Sequence, residues 1–178
     1  MSLVSLDLVA GNADRRALRH ALGHFATGVA VVTTRTASGK LEGLTANSFS
    51  SVSLDPPLVL WCLRRDAASA PSFAAAGAFA VNVLGAHQHA LSRHFATPTH
   101  DKFAGLRHSS GLHGCPLLDD SLAQFECRTE NAVEAGDHVI FIGRVLRLAF
   151  RDGEPLIFSA GRYWVPAALA EAAEAAPA

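Results

Sequence analysis

The sequence has few cysteines and no long apolar run. Its three cysteines, Cys62, Cys115 and Cys127, form no CxxC pair, which argues against a disulfide framework and a zinc site. No apolar run reaches the roughly 18–20 residues that span a bilayer. The first residues also lack the basic region and apolar stretch of a secretory signal. These absences predict a reduced, cytoplasmic protein that does not act at a membrane.

The sequence also has no marked excess of positive or negative charge. The 178 residues include 15 Lys and Arg and 16 Asp and Glu, for a formal net charge of −1. Nucleic-acid-binding proteins concentrate Lys and Arg to neutralise phosphates. We therefore expect no nucleic-acid partner, although an anion site built from two or three groups remains compatible with this composition.

Three common motifs are missing: GxGxxG, GxxxxGK[ST] and GxSxG. The first marks a Rossmann dinucleotide site, and the second a phosphate-binding loop. The third marks the nucleophile of many α/β-hydrolases. If this protein binds a dinucleotide, it does so without a Rossmann domain.

Short β-branched and apolar runs dominate what is present. A helix is predicted after Asp14, with Gly28 as its terminator. The run 58–63 has no polar alternation and predicts a strand buried on both faces. Two more short helices are expected at 66–76 and 86–95, and a long loop at 97–116. The remaining predicted strands are 28–36, 41–46, 47–54, 78–84, 122–133, 138–150 and 155–160.

This order of elements predicts a mainly β protein with short helices. Strand follows strand rather than alternating with helix, which favours an antiparallel barrel with helices at its rim. We expect a single domain over residues 1–165 and an Ala/Glu-rich tail at 166–178 that forms a frayed helix.

The nine histidines raise the question of a metal site. His20 and His24 lie four residues apart on the first predicted helix, a spacing that can place two ligands on one face. No nearby carboxylate or cysteine completes the set. A solvated helix face is the preferred interpretation, and no metal is predicted.

Several segments together resemble the flavin reductase-like family, the short NAD(P)H:flavin oxidoreductases that serve two-component monooxygenases. The likeness extends from Phe25 to Trp164. The segments that carry it are FATGVAVVTT (25–34), GLTANSFSSVSLDPPLVLWCL (43–63), FAVNVL (79–84), GDHVIFIGRV (136–145) and PLIFSAGRYW (155–164).

The resemblance implies an FMN-binding split antiparallel β-barrel of Greek-key type that forms a homodimer. It implies FMN or FAD as the flavin and NADH or NADPH as hydride donor. It also implies a separate flavin-dependent monooxygenase that receives the reduced flavin. A flavin-binding storage or redox-sensing protein without turnover is the alternative. A pyridoxamine-phosphate-type oxidase on a related barrel is a further one, but its arginine-rich phosphate pocket is not evident here.

The resemblance places Thr45, Ala46, Asn47 and Ser48 along the isoalloxazine ring and ribityl chain. A flavin ring offers carbonyl acceptors, one N–H donor and an apolar face, so small hydroxyl and amide side chains suit it. The alternative is a strand end whose polar side chains bond to nearby backbone.

Other flavin contacts follow from the resemblance. Ser69 lies at a predicted helix start, where free N–H groups can meet a phosphate, and Lys102 can also reach one. An ordinary capped surface helix and a solvated lysine are the alternatives. The remaining predicted contacts are Thr27, Val29, Cys62, Leu63, Arg64, Phe95 and Phe103.

The resemblance places His138 beside the nicotinamide, as the residue that helps to set hydride-transfer geometry. A hydrogen bond to a turn carbonyl is the alternative role. Tyr163 is expected to cover the flavin and exchange with the nicotinamide, unless it serves in core or dimer packing. Cys62 is expected to behave as a small hydrophobic residue and not as a redox thiol.

Overall fold

The computed structural model describes Ser5, Asp7 and residues 14–168. The predicted frayed helix of the tail falls mostly on residues 169–178, which lie outside the described residues. No helix in the described part is long and apolar enough to cross a bilayer.

The first half of the chain alternates short strands with three helices. In chain order these elements are α1 (Arg15–Leu22), β1 (Thr27–Gly28), β2 (Ala30–Arg35), β3 (Leu41–Ala46), β4 (Ser50–Leu54), β5 (Pro57–Arg64), α2 (Ala70–Ala76), β6 (Ala78–Val83), a 3₁₀ turn (Ala86–Gln88) and α3 (His89–Ala96).

The second half is almost entirely β. Its elements are β7 (His108–Ser110), a 3₁₀ turn (Leu112–Gly114), β8 (Pro116–Leu118), β9 (Ala123–Ala135), β10 (His138–Phe150), β11 (Ile157–Ser159) and β12 (Arg162–Trp164). The predicted 97–116 loop thus contains a short strand and a 3₁₀ turn.

Helix α1 begins as predicted and ends earlier. The Asp14 carboxylate accepts hydrogen bonds from the next backbone N–H groups, at 2.9 Å from Arg16 and 3.2 Å from Ala17. The prediction that Gly28 ends this helix is wrong, because the helix ends at Gly23 and Gly28 lies in β1. The Gly23 carbonyl accepts from the Ala160 backbone N–H at 2.7 Å. A contact distant in sequence therefore fixes the end of the helix.

One large antiparallel sheet organises the fold, which confirms the mainly β prediction. Its strand order is β3-β2-β6-β9-β10-β5-β4, and a three-stranded sheet β1-β11-β12 and a two-stranded sheet β7-β8 accompany it. Among the described strands, β3 and β4 are not hydrogen-bonded to each other. The large sheet is therefore open between two edges that are consecutive in the chain.

Tight turns connect the main hairpins. Gly39, at φ +87°, turns β2 into β3, as predicted. Strand β10 has its predicted bounds, and β9 extends two residues farther than predicted, to Ala135, so that only Gly136 and Asp137 separate the two strands. Gly136 has φ +61°, and glycine takes this left-handed conformation at little cost.

Aromatic packing fills the core on one side of the sheet. Trp61 is fully buried and stacks on Phe141, with ring centroids 4.9 Å apart, and meets Phe73 edge-on at the same distance. Strand β2 is buried on both faces, because Val32 joins this cluster while Val31 joins a second one beneath α3.

The prediction that the 58–63 strand is buried on both faces is wrong. Along β5, burial alternates: Val59, Trp61 and Leu63 are buried, and the residues between them are half-exposed. The alternate residues are partly exposed because β5 lies next to the edge strand β4 and the second face of β5 borders a cavity.

A buried carboxylate fastens the segment after α3 to the sheet. Glu126 on β9 is buried and accepts hydrogen bonds from the guanidinium of Arg147 on β10, one of them at 2.8 Å. It also accepts from the Leu112 backbone N–H. The Arg147 hydrogen bonds hold the pKa of Glu126 below its usual range. The carboxylate is therefore ionised at neutral pH and joins three parts of the chain.

We expect Glu126→Gln to lower the free energy of unfolding by roughly 1–2 kcal/mol at pH 7, since it weakens charge-assisted hydrogen bonds to a half-exposed arginine. The folded-state pKa is depressed, so this contribution is present above the unfolded pKa of about 4.3 and is lost as pH falls through the folded pKa. Urea unfolding at several pH values measures it.

The matched control is Glu130→Gln, on the same strand. Glu130 pairs with Arg128 and Arg144 at the surface, where ion pairs contribute little. Equal loss of stability in both variants would contradict the role of Glu126.

Candidate functional site

A cavity of about 810 Å³ lies between the edge strand β3, the end of β5 and the end of α3. Eleven of the predicted site residues line it. They are Thr45, Ala46, Asn47, Ser48, Cys62, Leu63, Arg64, Ser69, Phe95, Lys102 and His138.

Four predicted site residues do not line this cavity. Thr27 pairs with Phe158 between β1 and β11. Val29 is buried in the core cluster beneath α3. Phe103 is buried there too and meets the Phe95 ring edge-on at 5.2 Å, so it supports the cavity wall from behind. Tyr163 directs its hydroxyl to Ser92, at 2.8 Å.

The segment from Thr45 to Ser48 makes two kinds of contact. The Thr45 hydroxyl donates to the Ser92 carbonyl on α3 at 2.6 Å. The Ser48 hydroxyl accepts from the Cys62 backbone N–H at 2.9 Å. Asn47 is exposed, and its carboxamide makes no hydrogen bond within the described part of the chain. Of these three polar side chains, Asn47 is the one with no hydrogen bond to the described part of the protein.

Arg64 and Lys102, two basic groups of the cavity, already have partners within the protein. Arg64 forms an ion pair with Asp66 at 2.5 Å. The Lys102 ammonium donates to the carbonyls of Gly43 at 3.1 Å and Phe95 at 2.7 Å, which leaves one N–H for a ligand. Partial burial lowers the pKa of Lys102. Ser69 precedes α2 and caps it with no side-chain hydrogen bond, so its hydroxyl remains available.

His138 stands at another wall of the cavity. It opens β10 and lies opposite Arg64 in the register with β5. Its Nδ1 is 2.7 Å from an Asp137 carboxylate oxygen, and this hydrogen bond lowers the pKa of Asp137. Asp137 therefore fixes one ring nitrogen and leaves Nε2 for a ligand, a pairing that orients many functional histidines.

The cysteines do not have the features of reactive thiols. Cys62, Cys115 and Cys127 are all free. Burial raises the pKa of each, that of Cys127 to about 12, so the nucleophilic thiolate is disfavoured. Within the described residues, no three His, Cys, Asp or Glu side chains converge on a point that could hold a metal ion.

Sequence reasoning missed half of the cavity wall. Gly43 could have been identified from the sequence, because an isolated glycine in a strand often marks a site where a ligand or another part of the chain approaches the backbone closely. The others carry no signal, because residues of these types are common in strands, at helix ends and in loops. The missed lining residues are Lys40, Leu41, Glu42, Gly43, Leu44, Asp66, Ala67, Ala68, Ala96, Pro98, Thr99 and His100.

The family model described as "Flavin reductase like domain" matches residues 22–165. The chain belongs to this flavin reductase-like family. The resemblance seen in the sequence is thereby confirmed.

Similar proteins agree with this flavin reductase-like assignment. SmoA of Agrobacterium fabrum, described as "FMN reductase (NADH)", is 48% identical over 155 residues, which cover 87% of this chain and 88% of that protein. HsaB of Rhodococcus jostii, the reductase subunit of a flavin-dependent monooxygenase, is 38% identical over 151 residues, which cover 84% and 77%.

A solved structure shares the fold. SgcE6 of Streptomyces globisporus, an NADH:FAD oxidoreductase in complex with NAD and FAD fragments, superposes with a TM-score of 0.83 at 42% identity. The match covers 88% of this flavin reductase-like chain and 95% of that one.

Some relatives are longer. A protein of Rhizobium meliloti described as "Probable flavin reductase" is 48% identical over 163 residues, which cover 92% of this chain and only 52% of that protein. This flavin reductase-like chain thus spans about half the length of that relative.

Gly43 gives a test of the cavity wall of this flavin reductase-like protein. A Cβ at this position would lie 2.6 Å from the Phe95 ring and 3.1 Å from that of Phe103. Both rings are buried, so Gly43→Ala should destabilise the protein by about 1–3 kcal/mol through overpacking. The midpoint of urea unfolding measures this.

The control for that variant is Gly28→Ala. A Cβ at Gly28 meets nothing within 4 Å, so stability should stay close to that of the unmodified protein. If Gly43→Ala were no less stable than Gly28→Ala, the close packing behind the cavity would be refuted.

Proposed function

We propose that this protein is an NAD(P)H:flavin oxidoreductase that reduces FMN or FAD and supplies the reduced flavin to a separate monooxygenase. The observation that carries the proposal is a single cavity lined both by the Thr45–Ser48 segment and by His138. A flavin and a nicotinamide that react by hydride transfer must share one site, since the transfer occurs at contact distance.

The residues of the cavity suit a flavin. Asn47 offers an uncommitted carboxamide, and the Ser69 hydroxyl, the third Lys102 N–H and Arg64 offer donors for a phosphate. A bound flavin supplies the hydride acceptor, and the protein contributes binding and orientation. In this proposal Thr27, Val29 and Phe103 support the flavin site from outside its lining.

His138 is proposed to position the nicotinamide. With Nδ1 held by Asp137, Nε2 can hydrogen-bond to the carboxamide of the nicotinamide. Hydride transfer itself requires no acid or base from the protein, so the residue acts through geometry. NADH is the donor named for SmoA and SgcE6, and NADPH remains a second donor to test.

The finer architecture belongs to the same proposal. The open edges β3 and β4 would form the split of a Greek-key split barrel, in one domain over 1–165 with a tail at 166–178. A homodimer would cover apolar side chains that are exposed in the single chain. These are Val52, Leu54, Val133, Leu146, Leu148 and Phe150.

The proposed partner is a monooxygenase component, as HsaB is the reductase subunit of such an enzyme. The proposed location is the cytoplasm, because it supplies NAD(P)H and keeps thiols such as the three free cysteines reduced. We propose no nucleic-acid or membrane partner and no metal cofactor.

Purified protein is expected to oxidise NADH, or NADPH, only when FMN or FAD is present. An absorbance titration with each flavin, followed by anaerobic addition of the nucleotide, measures binding and reduction separately. No nucleotide oxidation with either flavin would overturn the proposal. A yellow protein that holds flavin tightly and is not reduced would favour the storage or redox-sensing alternative.

We expect His138→Ala to lower kcat/KM for the nucleotide by roughly 3–10-fold, the effect of losing one positioning hydrogen bond. The flavin Kd should change by less than about twofold, since the residue is assigned to the nicotinamide. Stopped-flow reduction of bound flavin measures both parameters.

The matched control is His24→Ala, an exposed histidine outside the cavity lining, which should leave both values unchanged. An unaltered reductive half-reaction in His138→Ala would remove His138 from the proposed site.

A further inference from the structure

A second cleft, of about 650 Å³, lies between α1 and the turn that joins β11 to β12. It shares no lining residue with the candidate flavin cavity. Arg16, Arg19 and His20 form its wall on the helix, and Ala160 and Gly161 form its wall on the turn. The cleft therefore has one basic wall, and its other wall carries no side chain larger than a methyl group.

The basic groups of this cleft have few contacts with the rest of the protein. Within the described part of the chain, the guanidinium groups of Arg16 and Arg19 form no ion pair or hydrogen bond. The His20 ring meets the His24 ring edge-on at 5.1 Å. Asp14 is the one carboxylate in the lining, and its Oδ1 already accepts two backbone N–H groups as the helix cap. The lining thus keeps a net positive charge.

Helix α1 itself gives a physical reason to expect a counter-charge. Arg15 and Arg16 occupy its first turn, where positive charge opposes the helix dipole. Arg19 lies three and four residues farther along, a spacing at which like charges repel. The helix has eight residues and buries none of them, so packing does not offset this repulsion, and so short a helix is marginal alone. A bound anion would reduce the repulsion and stabilise the helix.

We infer that this cleft binds a small oxyanion that carries more than one negative charge, through Arg16, Arg19 and His20. The planar fork of an arginine matches the oxygens of a phosphate or carboxylate group. The volume of the cleft lies within the range of about 300–1,000 Å³ that is usual for small-molecule sites. A phosphate ester and a polycarboxylate share the chemistry that these residues recognise. The site does not depend on the proposed flavin chemistry.

Isothermal titration calorimetry at low ionic strength tests the site, with inorganic phosphate and citrate as the two probes. We expect saturable binding to the unmodified protein that weakens as NaCl is added, because exposed charges are screened. Arg16→Gln and Arg19→Gln should each raise the Kd by roughly 3–10-fold, the effect of losing one exposed charge-assisted contact. The probe with the lower Kd identifies the anionic group that the cleft prefers.

The matched control is Arg15→Gln. Arg15 is an exposed arginine on the same helix and is not part of the cleft lining, so this variant should change the Kd by less than about twofold. Anion binding in the flavin cavity would be common to all these proteins and would not produce a difference between them. Equal weakening in Arg15→Gln and Arg16→Gln would refute the cleft as the site. The absence of saturable binding of both probes would also overturn the inference.

Amide hydrogen exchange in α1 gives a second measurement. The bound anion should slow exchange in this helix, because a ligand that binds the ordered form stabilises it. The slowing should be lost in the double variant Arg16→Gln/Arg19→Gln. Anion binding with unchanged exchange in α1 would place the anion elsewhere and contradict the inference.

Failure of this inference is distinguishable from failure of the proposed function. No residue of α1 lines the flavin cavity, so the double variant should retain the flavin-dependent NADH oxidation of the unmodified protein. Anion binding by a protein without reductase activity would overturn the proposed function and support the cleft.

Discussion

Strand β4 pairs with β5 from Ser50 onward. Two residues earlier in the chain, the Ser48 side chain makes the hydrogen bonds to β5 that a paired strand would otherwise make. The last backbone pair is Ser50 with Leu60, and the Ser48 hydroxyl then accepts from the Cys62 N–H and donates to the Cys62 carbonyl at 3.3 Å. Backbone groups withdrawn from water must be paired. Because a hydroxyl meets this requirement at Cys62, the chain can cross from β3 to β4 in three residues while the two sheet edges stay apart. The cavity borders this space, and that pair of hydrogen bonds satisfies the backbone of Cys62 at its wall.

Local sequence patterns predicted where helices and turns begin better than they predicted which distant parts of the chain pack against them. Asp14 as helix cap, the Ser38–Gly39 turn and the β9–β10 hairpin follow from short-range chemistry, and all three are confirmed. The end of α1 and the burial of β5 were predicted wrongly. The first depends on a hydrogen bond to residue 160 and the second on which strands become neighbours. Neither is visible in a window of the sequence, because both are set by contacts across more than sixty residues of chain.

The candidate site shows the same division. The resemblance supplied eleven residues that the fold gathers around one cavity, although they come from separate parts of the chain. The resemblance could not show which of their hydrogen-bonding groups are already paired within the protein. Thr45 and Ser48 looked equivalent in the sequence as small hydroxyl residues. In the fold one donates to α3 and the other serves β5, so their side chains have different capacities left for a ligand.

This difference constrains how a flavin can lie in the cavity. Its carbonyl oxygens need donors, and neither the Thr45 nor the Ser48 hydroxyl has a free proton to give. The donors near them are then the Asn47 carboxamide and the backbone N–H groups of the unpaired edge of β3. A strand in the middle of a sheet has no such groups to offer, so the proposed way of binding a flavin requires the open edge of β3. The separation of β3 from β4 thereby leaves both the space and the unpaired backbone donors that the proposed flavin site requires.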